Sequence, residues 1–290
     1  MRRSPLLVTV ACTLSFVFLL YNLLGQYHSN GKQTIVLTTH SRSVSGSDTR
    51  QLVRKSCSTN QTYIDFGAIL TQEQTERVEE CMVYYIQDGP KGLQKDRTNK
   101  NVRYTSHTYL NNSSFVIEAG GYLGYDVSEL NSRYHPSVYV VLEPVVKFFK
   151  TLQEKFKDSP NIVLYNFGVD VSDGVFFGSK GTDGTSIYKE GSSDVKLQII
   201  AVPKLLEKLK VAEKKVDLVT LNCEGREYAF LDFLLSTDYI HQFRNIQYQA
   251  HRVPSVCHPV KRFCWYQELL AKTHNLIYQH KFWWESWTHK

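Results

Sequence analysis

Residues 6–24 are almost continuously apolar and carry no charge, and Arg2 and Arg3 stand just ahead of them. At 1.5 Å rise per residue, a helix of that length comes close to the ~30 Å of a bilayer's hydrocarbon core. Positive residues before such a span keep the N-terminus cytoplasmic. The stretch ends in Tyr21, Asn22, Leu23, Leu24, Gly25 and Gln26 without a small-residue cleavage site. It therefore reads as a retained signal anchor, with a cleaved signal peptide as the alternative. Either way, the chain beyond Gln26 is expected to face the secretory lumen. Residues 27–58 then lose hydrophobic periodicity apart from the short patch Ile35, Val36, Leu37, as a stem would.

Past the stem, Val78, Cys81, Met82 and Tyr85 recur at helical spacing and predict a helix over 71–87, ended by Gly89-Pro90. Beyond residue 110 the pattern alternates between short β-rich runs and amphipathic helices. Strands are predicted at 115–117, 137–142, 162–165, 216–221 and 246–248. Helices are predicted between Gly124 and Ser137 and at 145–156, 202–212 and 226–235. Residues 170–194 are Gly- and Ser-rich. Alternation at this spacing predicts an α/β, Rossmann-like fold, a mainly parallel sheet with helices on both faces. The organisation read from the chain is a cytoplasmic tail over 1–5 and the anchor over 6–24. A lumenal stem follows over 25–58, then a helical extension over 59–109 and one catalytic-type domain over 110–290.

Composition narrows the function classes. The chain has 290 residues, 42% hydrophobic and 21% charged, which fits a globular domain and excludes wholesale disorder. The net charge of +6 is not gathered into a Lys/Arg stripe, so no nucleic-acid partner is expected. Six cysteines are too few for a disulfide scaffold, and none shows Cys-x-x-Cys spacing, so no metal site is expected. Pairing neighbours in sequence would join Cys57 to Cys81 and Cys257 to Cys264 and leave Cys223 free. Asn60, Asn111 and Asn112 each begin a glycosylation sequon.

In an open parallel sheet, ligands sit beyond the carboxyl ends of the strands. Glu118, Gly120, Gly121 and Gly124 follow the first strand; glycines there permit a tight turn and close backbone approach, although turns use glycine in any case. Glu143 ends the second strand, where an acid takes the ribose hydroxyls of a nucleotide-like cofactor, or else charges a helix start. Asn222, Cys223, Glu224, Gly225 and Glu227 follow the fourth strand, as a site or as a plain strand-to-helix turn with Glu227 in its first helical turn.

These segments resemble the FkbM family of S-adenosylmethionine-dependent methyltransferases over roughly residues 110–255. The stretch Phe115 to Gly124 is similar to the family's first-strand motif, and Tyr139 to Pro144 to its second-strand ending. Residues 161–174 resemble its third-strand segment, and Ile246 to His251 its fifth strand. Val216 to Glu227 resembles its Lys-x-Asp-x-Glu-Gly-x-Glu string, with Thr220 and Asn222 where the family often has Lys and Asp. Gln249 stands where an acid is frequent. The resemblance implies S-adenosyl-L-methionine as cofactor, its methionine part cradled by Glu118 to Gly124 and its ribose held by Glu143. Asp170 would meet the adenine amine. His251 is the first candidate for a general base and Glu224 the second, with Asn222 and Glu224 positioning the acceptor. Asn222 itself cannot serve as a carboxylate base.

The leading expectation is a single-pass, Golgi-type O-methyltransferase acting on a glycan or another lumenal hydroxyl. A glycosyltransferase shares the anchor-and-stem topology, but the chain has no Asp-x-Asp for a metal and sugar nucleotide. A catalytically inactive adhesion or interaction module is the remaining alternative, kept open by Thr220 and Asn222. The aromatic C-terminal segment, with Trp265, Tyr266, Tyr278, Phe282, Trp283, Trp284 and Trp287, is either a sugar-stacking platform or packing that closes the sheet.

Overall fold

The computed structural model describes residues 35–36, 52–57, 61–87, 101–178, 195–253 and 256–290. The anchor, most of the stem, Asn60 and the bulk of the Gly- and Ser-rich stretch lie outside the described residues. Among the described residues no helix is long and apolar enough to cross a membrane.

Strands β1 (Ile35–Val36), β2 (Val53–Ser56) and β3 (Thr62–Asp65) form a small antiparallel sheet. Residues 53–56, expected as irregular stem, are thus ordered by pairing with β3. Helix α1 (Gln72–Gln87) follows, with Val78 buried and Cys81, Met82 and Tyr85 packed against the core as its periodicity predicts. After the short α2 (Val102–Thr105) the chain enters the main sheet.

That sheet is built from β4 (Phe115–Ala119), β5 (Val138–Leu142), β6 (Ile162–Tyr165), β10 (Leu218–Leu221), β11 (Asn245–Gln249), β12 (His274–His280) and β13 (Trp284–His289). Its spatial order is β12-β13-β11-β10-β4-β5-β6. The five central and outer strands β11, β10, β4, β5 and β6 are parallel, whereas β13 runs antiparallel between β11 and β12. The order reverses between β4 and β10, so a crevice opens beyond their carboxyl ends. The smaller strands β7 (Gly168–Asp170), β8 (Gly174–Gly178) and β9 (Val195–Ala201) make a flap beside that crevice.

Near-continuous apolar strands such as Val138–Leu142 are what a sheet covered on both faces demands. One face packs on α5 (Val202–Lys208), α6 (Glu227–Leu235) and α7 (Pro259–Thr273) through Ile117, Val219, Leu205, Phe230, Phe263 and Leu270. The other packs on α3 (Tyr125–Tyr134) and α4 (Val146–Lys155) through Val116, Val141, Val127, Leu130 and Leu152. Phe230 is fully buried, and truncation to Ala at such a position costs about 3–5 kcal/mol.

The 59–109 extension is built into this core. Asp232 of α6 accepts from Ile64 N at 2.9 Å, from Arg262 Nη2 at 2.9 Å and from Tyr266 OH at 2.6 Å, tying β3, α6 and α7 together. Two disulfides, Cys57–Cys257 and Cys81–Cys264, do the same covalently. They correct the expected nearest-neighbour pairing. Cys81 faces inward from α1 onto α7, where Cys264 meets it, and Cys57 at the end of β2 reaches Cys257 just ahead of α7. Among the described residues Cys223 is the free cysteine, as expected. Trp265, Tyr266, Phe282, Trp284 and Trp287 are buried, so the aromatic C-terminal segment closes the sheet rather than forming a stacking platform.

Candidate functional site

A cleft of about 140 Å³ opens where the strand order reverses. Its walls come from the turn after β4 (Ala119, Gly120, Tyr122), the end of β5 (Leu142 to Val145) and Phe148 of α4. Gly168 and Val169 of β7, Leu197 and Ile199 of β9, and the turn after β10 (Asn222, Cys223, Glu224, Arg226) complete them.

The glycines of the first turn serve the protein's own packing. Gly120 adopts φ +98°, and a Cβ there would lie 2.0 Å from the Asn222 carbonyl oxygen. At Gly121 a Cβ would meet Val141 at 2.5 Å, and at Gly124 it would meet Phe156 at 2.6 Å. The N–H groups of Gly120 and Gly121 both donate to Leu142 O. At Gly120 the close approach is thus to the turn after β10, and at Gly121 and Gly124 it is to side chains of β5 and of the helix after it.

Each of those turns holds a non-glycine residue in the left-handed region. Tyr122 has φ 45° and Glu224 φ 51°, and both line the cleft. Such conformations cost of the order of 1–3 kcal/mol and concentrate at functional sites.

Glu143 ends the second strand as expected and lines the cleft. Its carboxyl accepts from Tyr122 N and from Val145 N, each at 2.8 Å. Burial raises it to about 7, against the pull of those two donors. Each oxygen retains a second lone-pair direction for a ligand hydroxyl.

Glu118 lies elsewhere. It is the penultimate residue of β4, so its side chain leaves by the opposite face from its neighbour Ala119. There it accepts from Tyr139 OH at 2.5 Å, fully buried, and burial with nearby Asp126 holds its carboxyl well above the ordinary range. It forms no part of the cleft wall. Asp170, expected at an adenine amine, instead accepts from Arg226 Nη1 in a buried ion pair at the end of β7. Arg226 was not singled out by the sequence; burial lowers it to about 9.

His251, the first candidate for a base, stands behind the cleft between two carboxylates. Its Nδ1 is 3.2 Å from Glu227 Oε1 and its Nε2 3.4 Å from Glu224 Oε1. Burial pulls its pKa down, but the two glutamates outweigh burial and hold it at about 10. At neutral pH it is a cation and has no lone pair with which to accept a proton. Its physical role is to hold Glu224 at the cleft wall. Glu227 is completely buried, and its carboxylate also accepts from Gly225 N at 3.0 Å and from His251 N at 2.9 Å. A carboxylate with that many donors fixes both strand-end turns at once. Asn222 and Glu224 line the cleft together as expected, and Glu224 remains the acid that can face a ligand.

Thr220 and Gln247, by contrast, belong to a polar seam on the other face. Gln247 Nε2 donates to Thr220 Oγ1 at 3.2 Å, and its Oε1 accepts from Tyr278 OH at 2.7 Å and meets His107 Nε2 at 2.9 Å. Burial lowers His107 to about 4, so it is neutral there.

No protein-family model matches the sequence, and no curated protein matches it. Among solved structures, the chain is similar to methyltransferase FkbM from Methylobacillus flagellatus KT at 12% identity and a TM-score of 0.46, covering 78% of this chain. It spans 61% of the FkbM chain's length. It is also similar to the N-methyltransferase NodS from Bradyrhizobium japonicum WM9 at 11% identity and a TM-score of 0.35, covering 74% of this chain and 98% of that one. M. capricolum TrmK follows at 12% identity and a TM-score of 0.35, covering 65% and 68%. The strand order itself, five parallel strands completed by an antiparallel strand inserted before the edge, makes an open, mostly parallel sheet of Rossmann-like kind.

Proposed function

We propose that this chain is an S-adenosylmethionine-dependent O-methyltransferase of FkbM type, anchored in the membrane by residues 6–24. Its acceptor would be a hydroxyl on a glycan or another secretory-pathway molecule. The observation that carries the reading is the pair of cleft acids at the switch point: Glu143 at the end of the second strand, Glu224 on the turn after the fourth. Two disulfides closing within one chain support an oxidising, lumenal setting.

In this reading Glu143 takes the ribose hydroxyls, and the Gly120 to Gly124 turn shapes the methionine end. S-adenosylmethionine, when bound, supplies a methyl activated by its sulfonium. Asn222 and Glu224 orient the acceptor hydroxyl, and Glu224 rather than His251 accepts its proton. His251 and Glu227 hold that carboxylate in place. Glu143, with a lone pair left on each oxygen, fits the ribose, and Gly120 and Tyr122 line the cleft beside it; the adenine end needs the Arg226–Asp170 pair to part.

The test is calorimetry of the full chain with S-adenosylmethionine, followed by labelled-methyl transfer to a panel of lumenal glycans. Binding with transfer is expected, and Glu224→Gln should lower turnover by roughly 10²–10⁴-fold with binding retained. A second reading, a non-catalytic interaction module, draws on the cleft's volume. At about 140 Å³ it is below the roughly 300–1,000 Å³ of ligand pockets, with the Arg226–Asp170 pair across one end. Failure of the parent chain to bind the cofactor would select that second reading.

A further inference from the structure

The turn 111–114 leads into β4 at the amino-terminal edge of the parallel sheet, opposite the cleft. Ser114 N donates to Asn111 O at 3.0 Å, closing a β-turn with Asn111 at its first position. The Asn111 side chain folds over the turn: its Oδ1 accepts from Ser113 N at 2.9 Å and from Ser113 Oγ at 2.6 Å. Its Nδ2 spends one hydrogen on Tyr109 O at 3.4 Å and keeps the other. Asn111, Asn112 and Ser113 are all exposed.

Two sequons overlap here, and the structure treats them differently. The first joins Asn111 to Ser113, whose hydroxyl already touches the Asn111 amide in the open. The second joins Asn112 to Ser114, which is 3% exposed and whose Oγ accepts from Asn111 N at 3.0 Å. A sequon is read through the hydroxyl residue two places along from its asparagine; of these two, only the first has that hydroxyl exposed and folded onto the asparagine's own amide.

We infer that Asn111, and not Asn112, carries an N-linked oligosaccharide, an assignment that rests on the lumenal reading proposed above. The co-reactant is an oligosaccharide on a lipid pyrophosphate, used by a lumenal transferase. Nδ2 bonds to the anomeric carbon, the carbon–oxygen bond to the pyrophosphate breaks, and Nδ2 releases its spare proton as the lipid pyrophosphate leaves. The second Nδ2 hydrogen and the Oδ1 contacts with Ser113 survive, so the turn persists. At ~3.3 Å per residue, β4 separates the glycan from the cleft by about 16 Å, which leaves the cleft open.

The experiment expresses the full chain in a eukaryotic secretory host and maps glycopeptides and disulfides by mass spectrometry without reduction, so that Asn60 is scored separately. The expected result is a glycan at Asn111, kept in Asn112→Gln and lost in Ser113→Ala, which leaves the Asn112 sequon intact. A glycan found on Asn112, or on neither residue with Cys57–Cys257 and Cys81–Cys264 formed, overturns the inference and leaves the lumenal reading standing. Free thiols at all four cysteines with no glycan would overturn both.

Discussion

Glu118 and Glu143 close two adjacent parallel strands, yet they are opposite in character. Glu118 is the penultimate residue of its strand, paired in register with Val141, and its carboxyl is sealed against Tyr139. Glu143 stands just past the strand end, where its carboxyl turns into the cleft and takes two backbone donors. Both are raised by burial, one well above the ordinary range and one to about 7. Register puts Glu143 two places beyond Val141, on Glu118's own parity, so the difference is the strand end: inside the ladder the acid is sealed as a structural group, and past it the turn swings the acid to where it can meet a ligand. Thr220, Asn222 and Glu224 likewise share one parity, and only the two past the end of β10 stand in the turn that walls the cleft.

The severest way to break the cleft side is at Glu227. Removing a buried partner strands a charge, so Glu227→Ala should cost roughly 3–5 kcal/mol in a urea unfolding series. A loss below about 1 kcal/mol would mean that His251 is not a buried cation. Next comes the direct contrast of the two strand-end acids by calorimetry. Glu143→Ala should weaken S-adenosylmethionine about tenfold to a hundredfold, the worth of a charge-assisted bond to the ribose. Glu118→Gln should leave that affinity unchanged.

A smaller effect lies in pH. His251 is raised from 6.5 to about 10 in the folded chain. Its stabilisation is therefore fully present below about 6.5, declines above it, and is gone once the pH passes the folded value of about 10. The stability gap between the parent and His251→Gln should narrow across that window, measured by unfolding at fixed ionic strength. A constant gap would remove the imidazolium. Smallest of all, Glu118→Gln should shift stability by less than about 1 kcal/mol, because an amide can still accept from Tyr139.

The fold was legible where periodicity was local. The apolar runs at 115–117, 137–142 and 246–248 lie within a residue or two of β4, β5 and β11. Strands β7 and β8 were not legible, since their apolar runs, Val169 alone and Val175 to Phe177, are only one and three residues long between glycines and acids and are held by pairing with β9. Helix α7 escaped because its mixed polar and aromatic residues are buried by tertiary contact, with even Arg262 enclosed. At the site, residue types at strand ends pointed to Glu143, Asn222 and Glu224. Charge state did not follow from type. His251 looks like a base until Glu227 and Glu224 are seen on both of its nitrogens, and Asp170 looks like a ligand until Arg226 meets it. Those pairings join residues far apart in the chain, and no spacing rule encodes them.

The two disulfides also impose an order in time. Cys57 and Cys81 await partners that lie 200 and 183 residues further along the chain. At roughly 5–20 residues per second of synthesis, that is a wait of about 10–40 s, which in the lumenal setting proposed above leaves two early thiols exposed to oxidant. During that interval the nearest available partner of each is the other, so the pairing that sequence proximity suggests is the one that forms first. Thiolate attack by Cys257 or Cys264 on that early bond is then the route to the native pairs. In that proposed setting maturation is expected to run through disulfide exchange, its yield in a cell following the supply of isomerase more closely than the supply of oxidant.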